Sequence, residues 1–158
     1  MAKAEQLKAI ADSGVVAVIR TSDASELMNI CKAMAAGGVM GVEITMTSPG
    51  ALDAIREASA KLGSKAIIGA GSVLDAETAR ACIMAGADFV VSPVFDAGLV
   101  EICHRYSKIV IPGAFTPTEI LRAWEAGADV VKVFPATVVG PRYFKDILGP
   151  LPQVRLTP

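Results

Sequence analysis

Histidine is almost missing from this chain: His104 is the only one among 158 residues. It lies in "EICHRYS", a helix-like stretch whose spacing puts it on the outer face. No histidine or cysteine cluster has metal-ligand spacing, so a metal-dependent lyase or hydrolase has nothing to build on, and no metal or other cofactor is expected. With no histidine base near any hydroxyl residue, a Ser-His-Asp arrangement is unsupported too. Cysteine is also scarce. Cys31, Cys82 and Cys103 are odd in number and widely spaced, which argues against a disulfide framework and for a reducing compartment. Charge of one sign is lacking: the formal net charge is −1, with no basic stripe for nucleic acid and no acidic tail. Long apolar runs are lacking as well. "VVAVIR" ends in arginine, so no membrane span is expected. The opening "MAKAEQLKAIADSG" is too polar for the core of a signal peptide. The expected setting is cytoplasmic, with no nucleic-acid or membrane partner.

What remains is largely apolar. Residues of that class make up 53% of the chain, enough for one domain with a sizeable core. Short β-branched runs recur: Val15–Arg20, Gly41–Thr45, Ala66–Gly71, Asp88–Pro93, Ile109–Ala114, Asp129–Pro135 and Gln153–Leu156. Ala/Leu/Glu-rich segments of helical spacing separate them. Strands alternating with helices predict βαβ units and a parallel sheet, and continuously apolar strands predict cover on both faces. "AMAAGGVMGVEIT", "CIMAGADFVVSP" and "AWEAGADVVKVFP" repeat one passage from helix end through glycine into strand. Gly37, Gly86 and Gly127 are expected in the left-handed position that ends a helix. Asp75, and Thr116 followed by Pro117, are expected to cap helix starts.

Repeated βα units without a G-x-G-x-x-G turn favour an α/β fold of the (β/α)8 TIM-barrel type over a dinucleotide-binding sheet. Residues 3–13 would be an additional helix plugging the barrel floor. Only seven strands can be counted, and a complete barrel has eight strands in typically ~250 residues. The expected architecture is one domain over residues 1–158, incomplete by its last βα portion.

In such a barrel, chemistry gathers at the C-terminal ends of the strands. The polar residues there are Arg20, Glu43 with Thr45 and Thr47, Ser72, Ser92 beside Pro93, Thr116 and Lys132. Lys132 is the anomaly, set among Val130, Val131, Val133 and Phe134. Lysine is rarely buried unless paired or functional. Desolvation favours its neutral amine, which attacks a ketone to form an imine, and the protonated imine is an electron sink. Glu43, in "GVEIT", is the carboxylate available to move protons. On spacing alone, a buried structural ion pair between Lys132 and Glu43 is an equal alternative. Arg20 reads equally as an anion ligand or a solvated strand end. Serines and threonines are more often caps and turn residues than ligands. The cysteines, with Met34, Met40, Met46 and Met84, read as core filling, and Trp124 as core or interface packing.

Taken in order, "VIR", "VEIT", "GAGS", "SP", "IPG", "TPTE", "VKVFPA" and "GPLPQVRLTP" resemble the 2-keto-3-deoxy-6-phosphogluconate aldolase family, which includes enzymes that also cleave 4-hydroxy-2-oxoglutarate. The resemblance implies a class I, Schiff-base (β/α)8 aldolase, commonly a homotrimer. It would split a 2-keto acid reversibly into pyruvate and an aldehyde. It implies Lys132 as the Schiff-base residue, Glu43 as proton shuttle and Arg20 facing the site. Ser72 would bind the pyruvate carboxylate, with Pro93 and Phe134 shaping the pocket. Two departures stand out: serine replaces the usual threonine at Ser72, and Thr47 occupies a position where many bifunctional members carry arginine. The family's phosphate-binding loop would begin just beyond Pro158, so the resemblance implies a truncated barrel with that portion missing. A non-catalytic family member acting as a binding or assembly subunit is the alternative reading. Another phosphorylated-metabolite barrel enzyme is a third.

Overall fold

The computed structural model describes residues 1–158. Helices and strands alternate: α1 (Lys3–Ser13), β1 (Val16–Ile19), α2 (Leu27–Ala36), β2 (Gly41–Thr45), α3 (Ala51–Leu62), β3 (Ile67–Gly71), α4 (Ala76–Ala85), β4 (Phe89–Val91) and α5 (Ala97–Arg105). There follow β5 (Ile109–Ile111), β6 (Gly113–Ala114), α6 (Pro117–Glu125), β7 (Val131–Val133), α7 (Gly140–Leu148) and β8 (Leu156–Thr157). Strands β1 to β5 pair in sequence order, all parallel. A second parallel sheet has the order β6-β7-β8.

The two sheets form one curved wall. The run Ile109–Ala114, expected as one strand, is divided at Pro112, which has no N–H to donate. Its first half pairs with β4 and its second half with β7. The wall continues across the break because Asp129 donates its N–H to the Val110 carbonyl and Lys132 donates to the Pro112 carbonyl, at 3.1 and 2.9 Å. Seven expected strands thus appear as eight segments. Strands β1 and β8 are the outer edges and do not pair with each other, so the wall is not closed. The last strand also begins later than the sequence suggests. Val131 bonds the Arg155 carbonyl at 2.8 Å, and Val154 sits in a turn bonded to Leu151.

Alternation along each strand separates two cores. Outward residues such as Val42, Ile44, Ile68, Ala70, Val90 and Val110 pack with Leu27, Ile55 and Leu99 of the helices. Ala114, Val131 and Val133 do the same against Ile120 and Ile147. Inward residues Ile67, Phe89, Val91, Ile109 and Ile111 form a separate cluster, closed from below by Ile10 of α1. Helix α1 therefore occupies the floor position expected of it. Phe89 is fully buried, a contribution of about 1.5–3 kcal/mol for a side chain of this kind.

Local signals hold in most places. The Asp75 carboxylate accepts from Thr78 N–H at 2.6 Å. Thr116 and Glu119 form a reciprocal capping box at the start of α6, worth about 1 kcal/mol. Gly86 and Gly127 have φ of 111° and 99°, as expected. At the end of α2 the left-handed residue is Gly38, not Gly37. Val39 N–H bonds the Met34 carbonyl and Gly38 N–H bonds Ala35, a closing pair that puts the second glycine in the left-handed position. All three cysteines are buried in the outer core, and burial pushes their thiols up, to about 11 at Cys31 and Cys82 and about 12 at Cys103. Met34, Met40 and Met46 fill core gaps, but Met84 is 62% exposed because the phase of α4 turns it away from Cys82 and Ile83. Trp124 packs half-buried against the second cluster.

One close approach predicts a large stability effect. A Cβ on Gly113 would stand 2.2 Å from the carbonyl carbon and oxygen of Pro93. These are backbone atoms and cannot swing aside. Gly113→Ala is expected to lower unfolding free energy by about 3 kcal/mol or more, seen as a lower urea midpoint at unchanged slope. A midpoint equal to wild type would show that the contact relaxes freely.

Candidate active site

Glu43 and Lys132 come from opposite parts of the wall. Glu43 lies on β2 in register with Val18 and Gly69. Lys132 lies on β7 in register with Gly113 and Thr157. Both point inward and line one cleft of about 1050 Å³, which runs along the gap between β1 and β8 above α1. Apolar side chains, among them Leu7, Val18, Ile111 and Leu156, make up most of its walls.

The two charged groups are not an ion pair. Every ion pair within 4.0 Å lies elsewhere, and neither the Glu43 carboxylate nor the Lys132 ammonium takes part in a protein hydrogen bond. The buried structural pair that spacing left open is therefore not formed. Lys132 is half-buried, with Nζ 5.4 Å from the centroid of the Phe134 ring. Glu43 is 4% exposed. Its burial pushes the carboxyl above the ordinary glutamate range, and the charges of Lys132 and Arg20 offset that only in part.

The other predicted residues stand around the strand ends, outside the lining of this cleft. Arg20 is exposed just beyond β1, free of ion pairs, with its charge felt at Glu43. Thr45 is fully buried and donates to the Ile19 carbonyl at 3.2 Å, with Thr47 and Ser48 hydroxyls at 3.1 and 3.3 Å. These hydroxyls tie the end of β2 to the end of β1. Ser72 follows β3 with φ 57°, a left-handed conformation costing a non-glycine residue about 1–2 kcal/mol. Met46 N–H to the Gly71 carbonyl and Val73 N–H to the Val91 carbonyl fix it from both sides. Backbone strain held in place at a strand end is characteristic of functional sites. Pro93 is half-buried, with its carbonyl against Gly113, and Phe134 is 46% exposed beside Lys132. Ser92 and Thr116 serve as turn and cap residues: Ser92 Oγ accepts from Val94 N–H, and Thr116 caps α6. His104 is exposed and bonds the Gly127 carbonyl through Nε2 at 2.8 Å, far from the cleft.

Sequence reasoning missed two groups here. Arg155 and Thr157 line the cleft, and Thr157 is the direct register neighbour of Lys132. The period-two pattern of "QVRLT" contained that signal, but only once its register with β7 was known. The inward glycines of β3 were also missed. Gly69 leaves room for the Phe89 ring, and Gly71 leaves room for the Glu43 carboxylate.

No group of three or more His, Cys, Asp or Glu residues is placed to hold a metal ion. No helix is long and apolar enough to cross a membrane. A lysine and an unpaired carboxylate, facing one apolar cleft, can do imine chemistry with proton transfer.

Known proteins resemble the chain closely. Residues 7–158 match the sequence model of the family described as "Aldolase: KDPG and KHG aldolase". A 2-dehydro-3-deoxy-phosphogluconate aldolase of Treponema pallidum is 37% identical over 148 residues, covering 91% of this chain and 69% of its own. A KHG/KDPG aldolase of Escherichia coli K12 is 36% identical, covering 91% of this chain and 68% of its own. The chain thus spans about two thirds of the length of these curated relatives. Among solved structures, KDPG aldolase from Legionella pneumophila, with pyruvate captured as a covalent carbinolamine intermediate, superposes with a TM-score of 0.88. It is 28% identical and covers 97% of this chain and 74% of its own.

Proposed function

The chain belongs to the KDPG and KHG aldolase family, and on that premise we propose that it cleaves a 2-keto-3-deoxy sugar acid, or its phosphate, or 4-hydroxy-2-oxoglutarate, to pyruvate and an aldehyde. Lys132 is the nucleophile. Its Nζ lone pair adds to the C2 carbonyl, giving a carbinolamine that loses water to become a protonated imine. The C4 hydroxyl passes its proton to the Glu43 carboxylate. The C3–C4 electron pair then moves into the imine, and the aldehyde leaves. The resulting enamine takes a proton at C3 from Glu43, and water releases pyruvate and restores the amine. In the synthetic direction the same steps run backwards. Arg20 and Ser72 provide a cation and a hydroxyl for the substrate's carboxylate, and Pro93 and Phe134 bound the pocket. Thr45 acts from behind, through the hydroxyl contacts that hold the end of β2.

One observation supports this most strongly: Lys132 and Glu43 share a cleft without neutralising each other. A structural pair would have closed. The raised carboxyl of Glu43 also suits a group that must both take and give a proton. In our reading residues 1–158 act as one domain of (β/α)-barrel type with an open wall, in a cytoplasmic homo-oligomer, the trimer of the family.

The test is trapping. Wild-type protein incubated with pyruvate and borohydride should carry one reduced pyruvate adduct, mapped to Lys132 by peptide mass. A folded sample with no adduct would refute the aldolase reading and leave a binding or assembly role in its place.

A further inference from the structure

Gly71 stands where β3 meets the site, and one side chain crowds it more closely than anything else. Its φ is not in the left-handed region, so the backbone there accepts any L residue. A Cβ at this position would nevertheless meet Glu43 at 1.8 Å from Oε1, 2.5 Å from Cδ and 2.7 Å from Cγ. The nearest obstacles are all atoms of that one side chain. Register explains the contact. Glu43 pairs with Gly69, and Gly71 is the next inward position on β3, paired with Thr45. The Glu43 carboxylate therefore leans one layer toward the C-terminal ends of the strands and lies over the bare Cα of Gly71. No hydrogen bond to the carboxylate accompanies this contact. Below it, the place of a Gly69 side chain is filled by the Phe89 ring.

We infer that Gly71 is a positioning residue for proton transfer: the absent side chain is the seat that holds the Glu43 carboxylate at the level of the Lys132 imine. The inference rests on the aldolase reading for its consequence, though not for its geometry. A methyl group at Gly71 forces the carboxylate back by more than an ångström, and a misplacement of about 1 Å costs on the order of 10²-fold in rate. Imine formation by Lys132 does not use the seat and should survive.

The experiment compares Gly71→Ala with wild type in two assays. One is borohydride trapping of pyruvate. The other is NMR observation of deuterium entering the pyruvate methyl group in D2O, which requires a proton to leave C3 of the imine. The expected result is undiminished trapping with exchange slowed about 100-fold. Glu43→Asp shortens the acid by one methylene, so in that background Gly71→Ala should cost only a few-fold. Equal exchange in Gly71→Ala and wild type would overturn the inference while leaving the aldolase reading intact. A loss as large as about 100-fold in the Glu43→Asp background would overturn it too. Absence of trapping in wild type would instead sink the aldolase reading. The seat itself is then judged by thermal unfolding: Gly71→Ala should be destabilised, and Glu43→Ala in the same chain should restore it. No restoration would overturn the inference on geometry alone.

Discussion

Lys132→Ala is expected to retain its fold and lose aldol cleavage by on the order of 10⁴-fold or more, because a covalent nucleophile has no substitute in the cleft. The side chain is half-buried and makes no ion pair or hydrogen bond; its one polar contact is the Phe134 ring, 46% exposed and 5.4 Å from Nζ, so the melting temperature should move little. Lys132→Arg should be equally inactive. A guanidinium stays protonated near neutral pH and cannot form the imine. Steady-state cleavage measured by coupled pyruvate detection decides the matter. Activity within about tenfold of wild type in either variant would place the chemistry on another group.

The second large effect concerns Glu43. Glu43→Gln should lower kcat by about 10²–10⁴-fold, the usual contribution of a general acid–base group, while borohydride trapping persists. The same change should stabilise the fold above a definite pH. Burial raises the native carboxyl above its ordinary value of 4.5. Between the unfolded value and that raised native value, the native state holds a proton that the unfolded state has lost. Stability therefore falls as pH rises through the window, and above it the full penalty remains. Glutamine carries no such penalty. The variant should melt higher than wild type at about pH 8, and the gap should shrink as pH falls toward 4.5. A gap independent of pH would show that the carboxylate is not the source of the cost.

The sequence carried much of this because the relevant signals are local. Lys132 stands out in an apolar run wherever that run is placed, and Asp75 and Thr116 announce helix starts within a single turn. Alternating strands and helices led to the curved parallel wall, and the helix expected at about residues 3–13 is observed as α1. What was not legible depends on neighbours across the sheet. Pro112 was visible, but not that the strand carrying it serves one neighbour before the proline and another after it. Glycine after helix α2 was visible, but the choice between Gly37 and Gly38 depends on which carbonyl the next N–H reaches. Gly71 read only as the end of a strand until the path of the Glu43 side chain was known. The open question of a Lys132–Glu43 pair could be answered only by placing the two strands in space.

The three cysteines lie behind the wall, among the helices, and none borders the cleft. Their raised thiols are almost wholly protonated near neutrality, and protonated sulfur is a poor nucleophile. Buried as well as protonated, they give thiol-directed labels little access on the folded molecule. A sulfur placed by design at the mouth would be the sole point of attachment for a fluorophore or spin probe. The native arrangement leaves the cleft blank to that chemistry, ready to be written on at one chosen residue.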